Sequence, residues 1–307
     1  MRPSRYANRY PKGYTGHGSR PPRRVRVSTP CISVILGGLA LCLGTVFLIT
    51  AGGCAPRPAA RPLVPGESAF GRYIDLTHAF DEQTVYWPTE EGFKLIKGFE
   101  GHTEAGYYYA AHRFEAAEHG GTHIDAPIHF YEGGAPLDQV PLERLIGPGV
   151  VVEVSDRCLR DRDYQIQLGD LKDWEAKQGR SLNDAIVLLR TGFARYWPER
   201  RRYLGTAELG AGAIAKLHFP GLHPEAARWL ASERTVKAVG IDTASIDYGQ
   251  SRGFETHIAL LRAGIPALEN LAGLEQLPDS GFTVVALPMK IRGGSGGPLR
   301  AVAIVPD

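Results

Sequence analysis

His119-Gly120-Gly121-Thr122-His123-Ile124-Asp125-Ala126-Pro127-Ile128-His129 places three histidines and one aspartate within eleven residues, threaded through two glycines and a proline. Glycine and proline at that density exclude a regular helix and predict a fixed loop that aims side chains. His123 and Asp125, two residues apart, share a face if the segment is extended. Gly120 and Gly121 let the chain turn so that His119 joins them, and Pro127 stiffens the return towards His129. Neutral imidazoles and a carboxylate directed at one point are donors for a transition metal. A solitary histidine would read as structural; four potential donors so closely spaced do not.

Outward from this stretch, short apolar runs read as strands. Gly149–Val154 is rich in β-branched residues and bounded by Pro148 and Asp156. Ala185–Leu189 and Val236–Ile241 are continuous apolar runs of the kind that buried strands show, and Phe282–Leu287 and Arg300–Val305 continue the pattern. Between them, His223–Leu230 carries Pro224 near a helix start, and Glu255–Arg262 reads as a helix halted by Gly264 and Pro266. Strands and helices alternate, so the fold class is α/β. Gly293-Gly294-Ser295-Gly296-Gly297 reads as a flexible loop between two strands.

A second cluster lies far downstream. His257 sits on the helix just described and Glu269 follows the Gly264-Ile265-Pro266 break. A helix reversing into a strand would bring both to one point, but spacing alone is weak support; a glutamate in Ala-Leu-Glu-Asn-Leu more often faces solvent.

The pattern His-x-Gly-Thr-His-x-Asp-x-Pro-x-His resembles the signature of the metal-dependent cyclase family, which includes bacterial kynurenine formamidases and isatin hydrolases. The resemblance spans most of Tyr73–Val305. Ile74-Asp75-Leu76-Thr77-His78 is similar to the family's opening strand, Val239–Asp247 to its central strand and loop, and Leu287–Ala301 to its C-terminal hairpin. It implies a swivelling β/β/α domain, with mixed sheets and flanking helices, that assembles as a homo-oligomer. It further implies that His119, His123, Asp125, His257 and Glu269 bind metal and that His129 is the general base and acid.

The chemistry of these groups is compatible with that assignment. A catalytic zinc commonly takes three protein ligands, and five donors exceed that need. Either two ions share a carboxylate or one larger ion such as manganese is held; zinc or manganese, one or two ions per chain, is the expectation. A metal-bound hydroxide would then attack the carbonyl of a small amide or cyclic amide, of the arylformamidase or lactam-hydrolase type. An imidazole can protonate the departing nitrogen. The alternative is a non-catalytic metal- or ligand-binding lipoprotein on the same scaffold.

Other residues are weighed against simpler roles. Trp87, in Tyr86-Trp87-Pro88, is a candidate substrate-binding wall or plain core packing. Ser245 and Thr191 are possible pocket residues. Asp242 and Asp247 either orient imidazoles or cap loops. Tyr107-Tyr108-Tyr109 reads as a strand alternating between core and surface. His78, His102, His112, His218 and His223 read as structural or exposed. Ser295 has no base beside it in sequence, which leaves a serine nucleophile little support.

Of 307 residues, 43% are hydrophobic, enough for a substantial core. Residues 1–30 contain eight Lys or Arg and no acid, and read as a basic disordered region. Residues 31–53 are uncharged and apolar, a signal or anchor segment. They end at Ala51-Gly52-Gly53-Cys54, which resembles a lipoprotein cleavage box with Cys54 as the lipidation site. Residues 54–67, rich in Pro and Ala, read as a linker, and 68–307 as the cyclase-like hydrolase domain. The expected location is extracytoplasmic, with the membrane reached through a lipid or an N-terminal anchor. Without the leader, 27 basic face 33 acidic residues, so the domain is acidic and no nucleic-acid partner is expected. Cys158 is the one cysteine in the domain, which excludes a disulfide framework.

Overall fold

The computed structural model describes residues 71–307. The leader, the apolar segment, Cys54 and the linker lie outside the described residues. Eight strands build one mixed sheet: Arg72–Asp75 (β1), His123–Asp125 (β2), Ile146–Glu153 (β3), Ile186–Arg190 (β4), Ala238–Ile241 (β5), Ala267–Glu269 (β6), Ser280–Pro288 (β7) and Gly296–Val305 (β8). Their order is β1-β8-β7-β3-β4-β5-β6-β2. β2 also pairs with the start of β8, from Gly296 opposite Asp125 to Pro298 opposite His123, so the sheet closes into a barrel-like arrangement.

The neighbours β3, β4, β5 and β6 run parallel. Parallel pairing requires a crossover connection, and each crossover carries a helix: Leu168–Gln178 (α1), Pro224–Glu233 (α2) and Glu255–Arg262 (α3). Pro224 occupies the first turn of α2 as expected, and the chain leaves α3 through Gly264 in a left-handed conformation.

Alternation along the strands feeds two apolar layers. Val150, Val152, Val187, Leu189, Val239 and Ile241 pack outward with residues of all three helices, among them Trp174, Leu230 and Leu260. Val151, Ile186, Leu188, Ala238, Ile124, Leu268, Val284 and Ala301 face the other way and fill the space the sheet encloses. Both faces being covered explains why these runs are continuously apolar. Each fully buried Val or Leu contributes roughly 1.5–3 kcal/mol relative to exposure. No helix among the described residues is long and apolar enough to cross a membrane.

Two expectations are corrected. Gly296 and Gly297 are not loop: they are buried and open β8. A Cβ on Gly296 would lie 2.6 Å from the Ile124 carbonyl oxygen, so the missing side chain is what lets β8 run against β2. Tyr107, Tyr108 and Tyr109 do not alternate; all three are half or more exposed. They belong to a two-stranded ribbon in which Glu100–His102 pairs with Tyr108–Ala110, next to the pair Lys94–Ile96 and Arg113–Glu115. Neither face of the Tyr108–Ala110 strand is buried, and its rings meet only side chains of the ribbon, Tyr109 with Phe99 at 6.0 Å and Tyr108 with His102 at 5.8 Å.

Candidate metal centre

The site follows from the register of two short strands. β2 and β6 run antiparallel with Glu269 opposite His123 and Leu268 opposite Ile124. Directly opposed residues project to the same side. Ile124 and Leu268 therefore enter the barrel, and His123, Asp125 and Glu269 project from its outer face. There His123 Nε2 lies 3.3 Å from Asp125 Oδ1 and 3.5 Å from Glu269 Oε2, with all three residues buried.

α3 covers this face and supplies His257. Its Nε2 lies 3.1 Å from Asp125 Oδ2 and 3.2 Å from Glu269 Oε1. The ring is oriented from behind by Asp247, whose carboxylate meets His257 Nδ1 at 2.6 Å and accepts from the backbone N–H groups of Thr256 and His257 in the first turn of α3. The Ile246 N–H donates to Glu269 Oε1 at 2.7 Å. Of the two aspartates with open readings, Asp247 thus serves the imidazole. Asp242 instead accepts from Thr191 and from the Gly192 N–H, which binds two loops together and takes Thr191 out of contention as a pocket residue.

His119 and His129 complete the cluster. His119 Nδ1 is 2.7 Å from Asp125 Oδ1, and its ring stacks on His129 with centroids 3.7 Å apart. Gly121, in a left-handed conformation, turns the chain between His119 and β2. One donor atom from each of His123, Asp125 and Glu269, and one from each of His119, Asp125 and His129, fall into two compact groups, every atom within 4.8 Å of the others in its group. Asp125 belongs to both.

These groups set one another's charge. Burial by itself would discharge His123, but its hydrogen bond to Asp125 and the charges of Asp125 and Glu269 lift it to about 9. Burial and carboxylates compete in the same way at His257, and the carboxylates hold it well above the usual imidazole range. Asp125 is also disfavoured as an anion by burial, yet hydrogen bonds from His119, His123 and His257 keep it well below the usual carboxylate range. Glu269 moves up, through burial and repulsion from Asp125. His129 is pushed down to about 4, chiefly by burial, against the opposing pull of Asp125 and with the neighbouring imidazoles adding to the lowering. The cluster therefore asks for positive charge at the point its donors share. Protons supply it in the free protein. A divalent cation fits that demand, and imidazole with carboxylate suits zinc or manganese.

The donors form the base of a cavity of about 360 Å³. Its upper wall includes Trp87, which meets Phe254 and Phe219 at 6.5 and 6.4 Å, together with Tyr86 and Phe130. Ser245 also lines it. Phe130 and Phe254 went unnoticed in the sequence; the one signal was their position beside His129 and Glu255. His78 is not part of the cluster and stacks on Trp197 at 4.1 Å. Ser295, without a neighbouring base in sequence, has one in space: its Oγ is 2.8 Å from His119 Nε2.

Comparison with known proteins agrees with the geometry. Residues 74–248 match the family model described as a putative cyclase. The chain is 32% identical over 209 residues to an isatin hydrolase of Roseibium aggregatum, covering 66% of this chain and 77% of that one. It is 32% identical over 188 residues to a kynurenine formamidase of Paracidovorax citrulli, covering 61% and 76%. Its structure resembles that of isatin hydrolase A from Labrenzia aggregata bound to benzyl benzoate, with a TM-score of 0.69 and 32% identity across 77% of this chain and 94% of that one.

Proposed function

Since the chain belongs to the cyclase family, whose members similar to it are amide hydrolases, we propose that it is a metal-dependent hydrolase of a small amide or cyclic amide carrying an aromatic group. The observation that carries this reading is the convergence of His123, Asp125, His257 and Glu269 at the base of an aromatic-walled cavity. These four and His119 would hold the metal. Asp125, within 2.7 Å of His119 Nδ1 and 3.1 Å of His257 Nε2, is the donor these residues share.

A divalent cation held there would polarise a carbonyl and lower the pKa of water towards neutrality. His129 works beside it as general base and acid. Burial keeps its imidazole unprotonated at neutral pH, so it can accept the proton of the attacking water and return it to the departing nitrogen. Asp247 fixes His257 so that Nε2 faces the donors. Trp87 walls the cavity against a flat ring, where Phe130 and Phe254 add apolar surface. The apolar segment 31–53 and Cys54 support a membrane-tethered, extracytoplasmic enzyme, and the family resemblance supports a homo-oligomer.

The test is elemental analysis of the full chain together with a hydrolysis screen of N-formylkynurenine, isatin and simple lactams, with and without chelator. Metal-dependent turnover is expected. In the same assay His129→Ala is expected to lower turnover by about 10²–10⁴-fold with metal content unchanged. Bound metal without turnover on any substrate would instead favour a ligand-binding protein, and loss of metal in His129→Ala would make that residue a ligand.

A further inference from the structure

Ser295 is the chemically capable residue that this reading leaves unused. Its Oγ donates to Glu118 Oε2 at 2.7 Å, and its backbone N–H donates to the same oxygen at 2.9 Å. The same Oγ is 2.8 Å from His119 Nε2, while His119 Nδ1 faces Asp125 Oδ1 at 2.7 Å. Aspartate, histidine and serine thus stand in the order of a nucleophilic triad.

Two observations oppose a nucleophile. The hydroxyl proton of Ser295 points to a carboxylate rather than to the imidazole, because a carboxylate can only accept. Moreover, Glu118 and His119 line the cavity and Ser295 does not. With its own proton given to Glu118, Ser295 Oγ is an acceptor towards His119, so the Nε2 of His119 carries a hydrogen. Nδ1 is then the nitrogen with a free lone pair. It faces an oxygen of Asp125 at a distance that two lone pairs tolerate only with a cation or a proton between them.

The ring has little freedom to do otherwise. It is stacked on His129, and a Cβ on Gly296 would lie 2.5 Å from His119 Cε1, so the glycine backbone runs directly against the imidazole edge.

Resting on the metal reading above, we propose that Glu118 and Ser295 form a relay that fixes the tautomer of His119, so that Nδ1 and Asp125 Oδ1 are presented together to the metal. Glu118 and Ser295 are positioning residues. They act through His119, and Ser295 lies outside the cavity lining.

The relay is tested on the full chain with zinc as the probe. Partners that orient a ligand imidazole are typically worth about 10–100-fold in metal affinity. Ser295→Ala is therefore expected to lower zinc affinity by that factor in a chelator competition, with Ser295→Thr, which keeps the hydroxyl, recovering most of it. Long-range ¹⁵N–¹H correlation spectra of the unaltered zinc-loaded protein are expected to show His119 protonated at Nε2 and shifted by metal at Nδ1, a readout that needs no variant to fold. Zinc bound through Nε2, or unchanged affinity in Ser295→Ala, would overturn the relay while leaving the metal site in place. Turnover abolished in Ser295→Ala at full zinc affinity would overturn it in favour of a nucleophile. No zinc bound by the unaltered chain would overturn the metal reading and the relay together.

Discussion

β2 and β6 each have two faces that differ by a single step along the chain. On the inner face, Ile124 and Leu268 are completely buried in an apolar layer drawn from every strand of the barrel. On the outer face, His123, Asp125 and Glu269 are just as buried and meet one another through polar groups. The inner face needs volume and the outer face needs charge. Because side chains alternate with a period of two, a slip of one residue in either strand would exchange the two environments. The barrel is thus more than a support for the site: its inner packing fixes the register that aligns Glu269 with His123.

Asp125→Ala attacks the outer face at the group shared by both donor sets and has the largest expected effect. Metal retention and turnover fall to background. Removing one partner from a buried charged network costs about 3–5 kcal/mol, so the metal-free protein should also lose stability in denaturant titration. If metal is retained, Asp125 is not its centre.

Leu268→Ala attacks the inner face one residue from Glu269. A buried leucine cut to alanine costs about 2–5 kcal/mol. Metal stoichiometry should persist in the protein that remains folded, although affinity should weaken if the register loosens. Stability unchanged by this substitution would contradict the division between the faces.

A pH series separates the faces without mutation. In the metal-free protein His123 is raised from its ordinary 6.5 to about 9. Its stabilising contribution is complete below about 6.5, the unfolded value, and is lost as pH rises through about 9. Asp125 is lowered, so its contribution is complete above the ordinary carboxylate range and fades on acidification below it. Between pH 6.5 and 9 the chelated protein should therefore lose melting temperature relative to the zinc-loaded form, in which the cation replaces the proton, and zinc affinity should rise over the same interval. Parallel curves for the two forms would show that the imidazoles and the metal do not compete.

The smallest effect is expected far from both faces. Tyr108→Ser on the exposed ribbon should change the unfolding free energy of the domain by no more than about 0.5 kcal/mol, as read by denaturant midpoint.

The sequence was legible where partners are close along the chain. His119 to Asp125 could be read as a donor loop because turn, strand and spacing all lie within seven residues. The continuous apolar runs reported strands covered on both faces, which is where β3, β4 and β5 lie. His257 and Glu269 were not legible from spacing, since their position depends on β6 pairing with β2 and on α3 folding over both; family resemblance pointed to them instead. Gly296 and Gly297 read as loop in the sequence because the partner of β8 at that point is β2, about 170 residues earlier. The tyrosine run shows the reverse limit: its pattern suits a half-buried strand equally well, and nothing local says whether a layer exists for it to pack on.

The most direct test of the metal centre is anomalous X-ray diffraction at the zinc absorption edge from crystals of the zinc-loaded protein. A peak within bonding distance of Asp125, His257 Nε2 and Glu269 is expected. Zinc located only elsewhere on the protein, with those side chains hydrogen-bonded to one another as they are in the free cluster, would contradict it.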